Sequence, residues 1–183
     1  MVLLEVDMKW QQLITDIYMR IAREYEQVLD GLTIDDLDHI PAPECNSIGW
    51  LAWHLTRSQD RCNQALTQQE QIWIKDKWHA RFNRPADPTD SGFGHSSDDV
   101  ALFKSPEVEV LIGYHRAVTE SSKNYVQNEL TESELDRDLN NPKLSRMPIV
   151  STRLIAVIND NLQHVGQMAY LRGLLKGKGW LGR

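Results

Sequence analysis

The chain has 183 residues, of which 41% are hydrophobic and 25% are charged, as in a typical globular protein. The net charge is −6 and there is no block of lysine or arginine, which excludes the cationic footprint of a nucleic-acid-binding protein. No run approaches the roughly 20 apolar residues of a membrane span, and the opening MVLLEVDMKW lacks the pattern of a signal peptide. We therefore expect one cytoplasmic domain over residues 1–183, with neither a nucleic-acid nor a membrane partner.

The first predicted helix extends from Met8 to Leu32 and has no proline. Its apolar residues recur at the three-to-four spacing of an amphipathic helix: Trp10, Leu13, Ile17, Ile21 and Tyr25. The segment that follows, TIDDLDHIPAPE, contains two prolines, so we predict an irregular connection in which His39 is solvated.

The second predicted helix is capped by Ser47 or the asparagine before it and continues to about Leu66. His54 lies three and four residues after Leu51 and Trp50, so the three side chains share one face. That face is apolar, and we therefore expect His54 to point into the core.

A long crossover, residues 67 to about 104, separates the second helix from the third. Its first part is expected to hold a short helix anchored by Trp73 and Trp78, whereas NRPADPTDSGFGHSSDD has the composition of a long loop. Because long loops in compact domains often carry function, we predict that the region from Trp73 to His95 forms a wall or lid of a pocket.

A third long helix is predicted to begin at Ser105, since Ser-Pro-Glu supplies an N-cap, a first-turn proline and an acidic first turn. The fourth extends from about Val150 to Lys176, with Gly177 as the residue that ends it. Four long amphipathic segments without a convincing strand predict an all-α fold, a four-helix bundle with a loop-rich crossover between its second and third helices.

The last helix carries polar residues on its apolar face. When His164 is set at zero on a helical projection, four apolar residues fall within about 40° of it: Val157, Met168, Leu171 and Leu175. Asp160 and Gln167 lie at the edge of the same arc, near −40° and −60°. A buried imidazole and carboxylate are costly unless they are paired or bind a metal.

His54, Asp160 and His164 together form a two-histidine, one-carboxylate set, which suits Zn²⁺, Ni²⁺ or Fe²⁺ with open coordination positions. A second interpretation stays open, because an Asp160–His164 hydrogen bond satisfies both groups without a metal. The sequence does not establish that His54 and His164 meet. No P-loop, GxGxxG motif or serine-nucleophile elbow supports a nucleotide-binding or acyl-transfer function.

The remaining polar residues have weaker signals. We expect His79 at the surface and His115 in a structural role on the third helix, whereas His95 in the glycine loop is a candidate pocket cap. Asp60 lies about 120° from His54 around the second helix, so it is expected beside the site or at the surface.

Two segments, NSIGWLAWHLTRSQDR and DNLQHVGQMAYLRGLLKGKGW, together resemble the DinB-like (YfiT-like) superfamily of metal-dependent enzymes. The GFGH loop and LIGYHRAV are similar to its DinB_2-type branch, and the resemblance covers nearly the whole chain. It implies a bundle with up-down-down-up order, often dimeric, that holds a divalent metal between the second and fourth helices.

The resemblance also implies a ligand set of three histidines, one on the second helix and an H-x-x-x-H pair on the last. His54 and His164 match the first and last of these, and Asp160 stands at the position of the middle histidine. Gln167 would then orient a ligand or a bound water molecule.

Members of the superfamily include transferases and isomerases that use low-molecular-weight thiols. The resulting hypothesis is a metal-dependent enzyme in which an activated water or thiolate attacks a small electrophilic substrate, as in a hydrolase or thiol S-transferase. The metal is expected to be zinc or nickel, with iron as a further option, and the protein to be a homodimer. Two alternatives are a non-catalytic bundle with a structural or decayed metal site, and a partner-binding module that uses the tryptophan-rich crossover.

Overall fold

The computed structural model describes residues 8–177 and 179–180, and this part of the chain is mostly helical, with one isolated bridge between Asp138 and Ile149 and no named strand. The α-helices in chain order are α1 (Trp10–Leu29), α2 (Ile34–Asp38), α3 (Ile48–Thr67), α4 (Ile72–Lys75), α5 (Trp78–Arg81), α6 (Ser97–Leu102), α7 (Val108–Asn124) and α8 (Val150–Lys176). The prediction of an all-α fold is confirmed.

The ends of the long helices follow their capping residues. Ser47 caps α3, because its hydroxyl accepts a hydrogen bond from the backbone N–H of Trp50. Gly177 follows the last residue of α8 with a φ of 78°, a left-handed value that glycine adopts without strain. Both predicted boundaries are confirmed.

The connection after α1 was predicted to be irregular, and this is wrong for residues 34–38. Thr33 and Asp36 form a capping box, in which the hydroxyl accepts from the Asp36 N–H and the carboxylate accepts from the Thr33 N–H. This local pairing begins helix α2 ahead of the two prolines. His39, just after it, is exposed as expected.

The start of the third long helix is also corrected. Helix α7 begins at Val108 with Glu107 as its N-cap residue, not at Ser105. The backbone N–H of Ser105 donates to the Asp38 carboxylate over 2.9 Å, so a contact with the α2 end replaces the predicted cap. At its other end, α7 continues into a π-helical turn, Tyr125–Glu129.

The four long helices contact one another in a defined pattern: α1 and α3 each pack against both α7 and α8. Helices α3 and α8 are antiparallel, since His54 meets His164 whereas Cys62, two turns later, contacts the Arg153 carbonyl. Helix α3 is buried along most of its length. Polar groups on α3 therefore have to find their partners inside the protein.

The crossover is attached to α3 by buried polar side chains. The Asp60 carboxylate accepts the backbone N–H groups of Ile72 and Trp73 over 3.0 and 2.8 Å, and the Tyr114 hydroxyl over 2.7 Å. Arg57, fully buried, donates to the carbonyl groups of residues 87, 88 and 90. Asp60 is 1% exposed, so its expected place at the surface is wrong: its role is to hold the crossover.

Within residues 8–177 and 179–180, no helix combines the length and apolarity needed to cross a membrane. Residues 1–7, on which the expectation of no signal peptide rests, lie outside the described residues, as do residue 178 and residues 181–183.

Candidate metal centre

The structure brings the three candidate ligands together at the contact between α3 and α8. One ligand atom from each of His54, Asp160 and His164 lies within 4.8 Å of the other two. The two imidazole rings meet edge to face, with centroids 4.8 Å apart. His54 is buried, whereas the Asp160 side chain is 39% exposed, so the cluster is open on the Asp160 side.

His54 is held in one orientation by the crossover and by its own helix. Its Nδ1 lies 2.5 Å from the carbonyl oxygen of Ser91, and its ring stacks on Trp50 with centroids 4.7 Å apart. A carbonyl oxygen only accepts hydrogen bonds, so Nδ1 carries the proton. The lone pair of a neutral His54 is therefore on Nε2.

His164 is oriented in a similar way on α8. Its Nδ1 lies 2.8 Å from Oε1 of Gln167, and its Nε2 lies 3.4 Å from Oδ1 of Asp160. The amide oxygen also only accepts, which places a proton on Nδ1 and turns Nε2 towards the carboxylate. Gln167 thus contacts the ring that the sequence analysis expects it to orient.

The donor set fits a divalent transition metal. Atoms that bind one tetrahedral zinc at about 2.0–2.1 Å lie about 3.3–3.4 Å apart, and the Asp160–His164 pair is already separated by 3.4 Å. Metal-binding histidines usually donate their other ring N–H to an oxygen, as both rings do here to Ser91 and Gln167. His54 completes the donor set, because its ligand atom lies within 4.8 Å of those of Asp160 and His164.

The three groups influence one another's pKa. Burial, the largest influence, lowers the pKa of His54, because it disfavours the imidazolium form. Burial also lowers the pKa of His164, but hydrogen bonds with Asp160 and Gln167 outweigh it and raise the pKa overall. The pKa of Asp160 is lowered in return. Burial by itself raises this pKa, but the hydrogen bond and the charge of His164 outweigh that effect.

A cleft of about 430 Å³ opens beside the cluster and includes His54 and Asp160 in its lining. Three cationic side chains that the sequence analysis missed also line it: Arg61, Lys143 and Arg153. A sequence signal for two of them exists, since Arg61 follows His54 by seven residues and Arg153 precedes Asp160 by seven. Seven residues are close to two helical turns and therefore return to the same face.

Only part of the crossover reaches the cleft. Ser91 and Phe93 line it, whereas Trp73 and Trp78 are 1% and 8% exposed and belong to the hydrophobic core. The wall extends over a shorter segment than predicted, and the two tryptophans are not available to an external partner.

The other histidines are not in the cluster. His95 accepts from the Trp50 indole N–H over 3.3 Å and lies 3.2 Å from Asp90, so it is in the layer behind His54. His79 is half-buried. His115 is 1% exposed and stacks on Tyr25, consistent with the structural role expected for it.

The crossover approaches His54 closely because residue 92 is glycine. Gly92 has a φ of +83°, and a Cβ atom placed there would lie 2.7 Å from Trp50, 2.9 Å from Trp53 and 3.2 Å from Nδ1 of His54. Any other residue would push this backbone away from α3. The Ser91 carbonyl can therefore reach His54 only with glycine next to it.

Comparison with known proteins gave a family and a solved structure. The sequence model described as the DinB superfamily matches residues 18–168. The crystal structure of a conserved protein from Enterococcus faecalis is similar, with a TM-score of 0.81 and 29% sequence identity over 93% of this chain and 99% of that one. Among curated proteins, none matches the chain.

Proposed function

The chain belongs to the DinB superfamily, and we propose on that basis that it is a metal-dependent enzyme whose ion is held by His54, Asp160 and His164. The family match covers most of the chain and supports a single domain over residues 1–183.

One observation carries this proposal: both imidazole rings donate Nδ1–H to an oxygen, and both direct Nε2 away from that contact. Two rings fixed in this way beside a carboxylate form a preorganised donor set. A pair of histidines that served only the packing of α3 and α8 would not need a cleft at its open side. Here the cleft has room for a small substrate.

The proposed reaction is the attack of water or a low-molecular-weight thiol on a small electrophilic substrate, as in a hydrolase or thiol S-transferase. A bound divalent ion, zinc or nickel in preference to iron, would supply Lewis-acid chemistry that lowers the pKa of the nucleophile. Ser91 and Gln167 keep the two imidazoles in position. Asp160, which is partly exposed, lies where substrate enters.

For the architecture we propose a four-helix bundle with up-down-down-up order. Helix α8 runs parallel to α1, because Arg172 near its end donates to the Val28 carbonyl near the end of α1. Helix α7 runs parallel to α3, because Thr56 contacts His115 and Asn63 contacts Ser122. The homodimer, the cytoplasmic location and the absence of a nucleic-acid partner stay predictions.

A second candidate is a non-catalytic bundle with a structural or decayed metal site. The contact between Asp160 and His164 favours it, since an aspartate at this position can pair with the histidine without an ion. In that case the cleft would have no substrate.

Metal analysis tests the proposal. The full-length protein, purified without added metal and then equilibrated with zinc, should hold about one ion per chain, and His54→Ala should hold far less. His39→Ala, which removes an exposed histidine outside the cluster, is the matched control and should bind as wild type does. Equal, negligible metal contents and equal melting temperatures for wild type and His54→Ala would rule out the metalloenzyme.

The non-catalytic candidate is separated by adding substrates. Zinc-loaded protein is tested against a panel of small electrophiles, with water or thiol as nucleophile. If the metal content is intact and no electrophile in the panel reacts, a structural ion is favoured.

A further inference from the structure

Two arginines of the cleft wall form no ion pair within the described part of the chain. Arg61 on α3 and Arg153 on α8 both line the cleft, and both are half-buried. The ion pairs among the described residues include neither of them. The positive charge of Arg153 acts unfavourably on the Arg61 cation, and an anion bound near both would reduce that cost.

The hydrogen bonds of the two side chains leave much of their donor capacity free. Arg61 donates from Nη1 to the Ser91 hydroxyl over 2.7 Å, and Arg153 makes only a weak contact to the Met147 sulfur over 3.7 Å. The Nε–H of Arg153 is buried without a hydrogen-bond partner. A buried donor of this kind costs free energy, so Arg153 is not fully satisfied by its protein neighbours.

The charge balance of the cleft also favours an anionic ligand. Its lining includes three cations, Arg61, Lys143 and Arg153, and one carboxylate, Asp160, which is already paired with His164. The pKa of Arg61 is lowered, first by burial and then by the charges of Arg57 and Arg153, and these outweigh the opposite effect of the Asp87 and Asp90 carboxylates. The whole protein is acidic, with a net charge of −6, and this cationic wall is therefore a local exception.

We propose that Arg61 and Arg153 form an oxyanion-binding subsite, which orients a carboxylate- or phosphate-bearing substrate beside the His54–Asp160–His164 cluster. Guanidinium groups match the two oxygens of such a head group with paired hydrogen bonds. Phe93, 89% exposed, and Met147 lie on the same cleft and provide apolar surface for the rest of the molecule. The assignment rests on the proposed function for its substrate role, whereas the anion site itself does not depend on the metal.

The test measures binding of three probes to the full-length protein by titration calorimetry at constant ionic strength. Malonate represents a carboxylate, inorganic phosphate represents a phosphate, and malonamide is the neutral control. We expect wild type to bind at least one anion more than tenfold tighter than malonamide, and the preferred anion identifies the head group. Arg61→Gln and Arg153→Gln should each weaken that anion about tenfold or more.

Arg20→Gln is the matched control, because it removes the same charge from an exposed position on α1. Arg61→Lys keeps the positive charge and serves if Arg61→Gln unfolds; it should bind the anion more weakly than wild type because it lacks the paired donors. Equal anion affinity in wild type, both cleft variants and Arg20→Gln overturns the subsite, as does equal binding of malonate, phosphate and malonamide.

Metal content is measured in the same samples. Anion binding that depends on the arginines in a protein without bound metal would support the subsite and count against the metalloenzyme. Full metal content together with anion binding that does not depend on the arginines would overturn the subsite and support the metalloenzyme.

Discussion

Helix α3 supplies polar residues to two clusters that differ in their access to solvent. The closed cluster consists of Thr56, Arg57 and Asp60 with Tyr114 and His115 of α7, all at most 1% exposed. The open cluster consists of His54, Asp160 and His164, and it borders a cleft. Both contain an imidazole and a carboxylate on neighbouring helices, so residue type alone does not separate structure from chemistry.

The two clusters also differ in the partners that satisfy their polar groups. In the closed cluster the Asp60 carboxylate has three protein donors and the neighbouring Arg57 guanidinium, which leaves no position for a ligand. In the open cluster Nε2 of His164 contacts only the partly exposed Asp160 carboxylate, and Nε2 of His54 has no hydrogen bond among the described residues. A buried carboxylate satisfied in this way stabilises the fold, whereas a partly satisfied group beside a cleft is available to bind.

The largest contrast should appear when the two aspartates are removed. Asp60→Ala leaves Arg57 buried without its charge partner, and we expect a loss of about 3–5 kcal/mol in the free energy of unfolding. Asp160→Ala removes a partly exposed contact and should cost at most about 1 kcal/mol. Urea unfolding of metal-free protein measures both. Similar losses for the two variants would contradict the division into closed and open clusters.

The closed cluster should also produce a pH dependence. Burial lowers the pKa of His115 to about 4, from about 6.5 in the unfolded chain. The unfolded state therefore binds more protons between these values, so the stabilisation present above pH 6.5 is lost as pH falls towards 4, by about 3 kcal/mol.

His115→Phe removes this titration while keeping an aromatic ring next to Tyr25. The difference in unfolding free energy between wild type and variant should change by about 3 kcal/mol between pH 6.5 and 4. His39→Phe, at an exposed position, is the control and should leave the pH dependence unchanged. A His115→Phe curve parallel to wild type would show that His115 is protonated without penalty.

The open cluster should be sensitive to the backbone that orients it. In Gly92→Ala the new Cβ atom collides with Trp50 and Trp53, so the Ser91 carbonyl moves from His54, and zinc affinity should fall about 10–100-fold. Gly94→Ala has a similar φ of +85° with no atom within 4 Å, and it separates backbone strain from the collision. Gly94→Ala should lose about 1 kcal/mol of stability from backbone strain, and Gly92→Ala should lose more because of the collision, but only Gly92→Ala should lose zinc affinity. Competition with a chromogenic chelator measures that affinity.

The smallest expected effect is a change in metal preference. Asp160→His exchanges an oxygen ligand for an imidazole, which should raise the ratio of zinc to manganese affinity about tenfold. Gln163→His adds a histidine at an exposed position of the same helix and should leave the ratio unchanged. An unchanged ratio in Asp160→His would mean that residue 160 is not a ligand.

The periodicity of apolar residues was enough to predict the long helices and the inward direction of His54, because a helix that buries one face has apolar residues at three-to-four spacing. The same periodicity predicted the buried face of α8 less well. There the buried face centres on Asn161 and Val165, 0% and 2% exposed, and His164 lies at its edge. Asn161 was missed because it donates to Gln59 on α3, and a hydrogen bond between helices leaves no apolar pattern.

Local capping likewise predicted the ends of α3 and α8 but not the start of α7, where Asp38 binds the backbone of Ser105 from a distant part of the chain. The same limit applies to Asp60, whose partners are backbone groups of the crossover.

The ligand types and their helical spacing are local properties, so the sequence by itself determines that Asp160 and His164 are neighbours on one helix. The meeting of His54 with that pair, the Ser91 carbonyl behind it and the two arginines of the cleft join segments far apart in the chain. Such contacts depend on how α3, α8 and the crossover pack, which is decided by the summed burial of many side chains rather than by any one motif. Packing also left one cluster open to a cleft and closed the other, and this difference carries the functional conclusion.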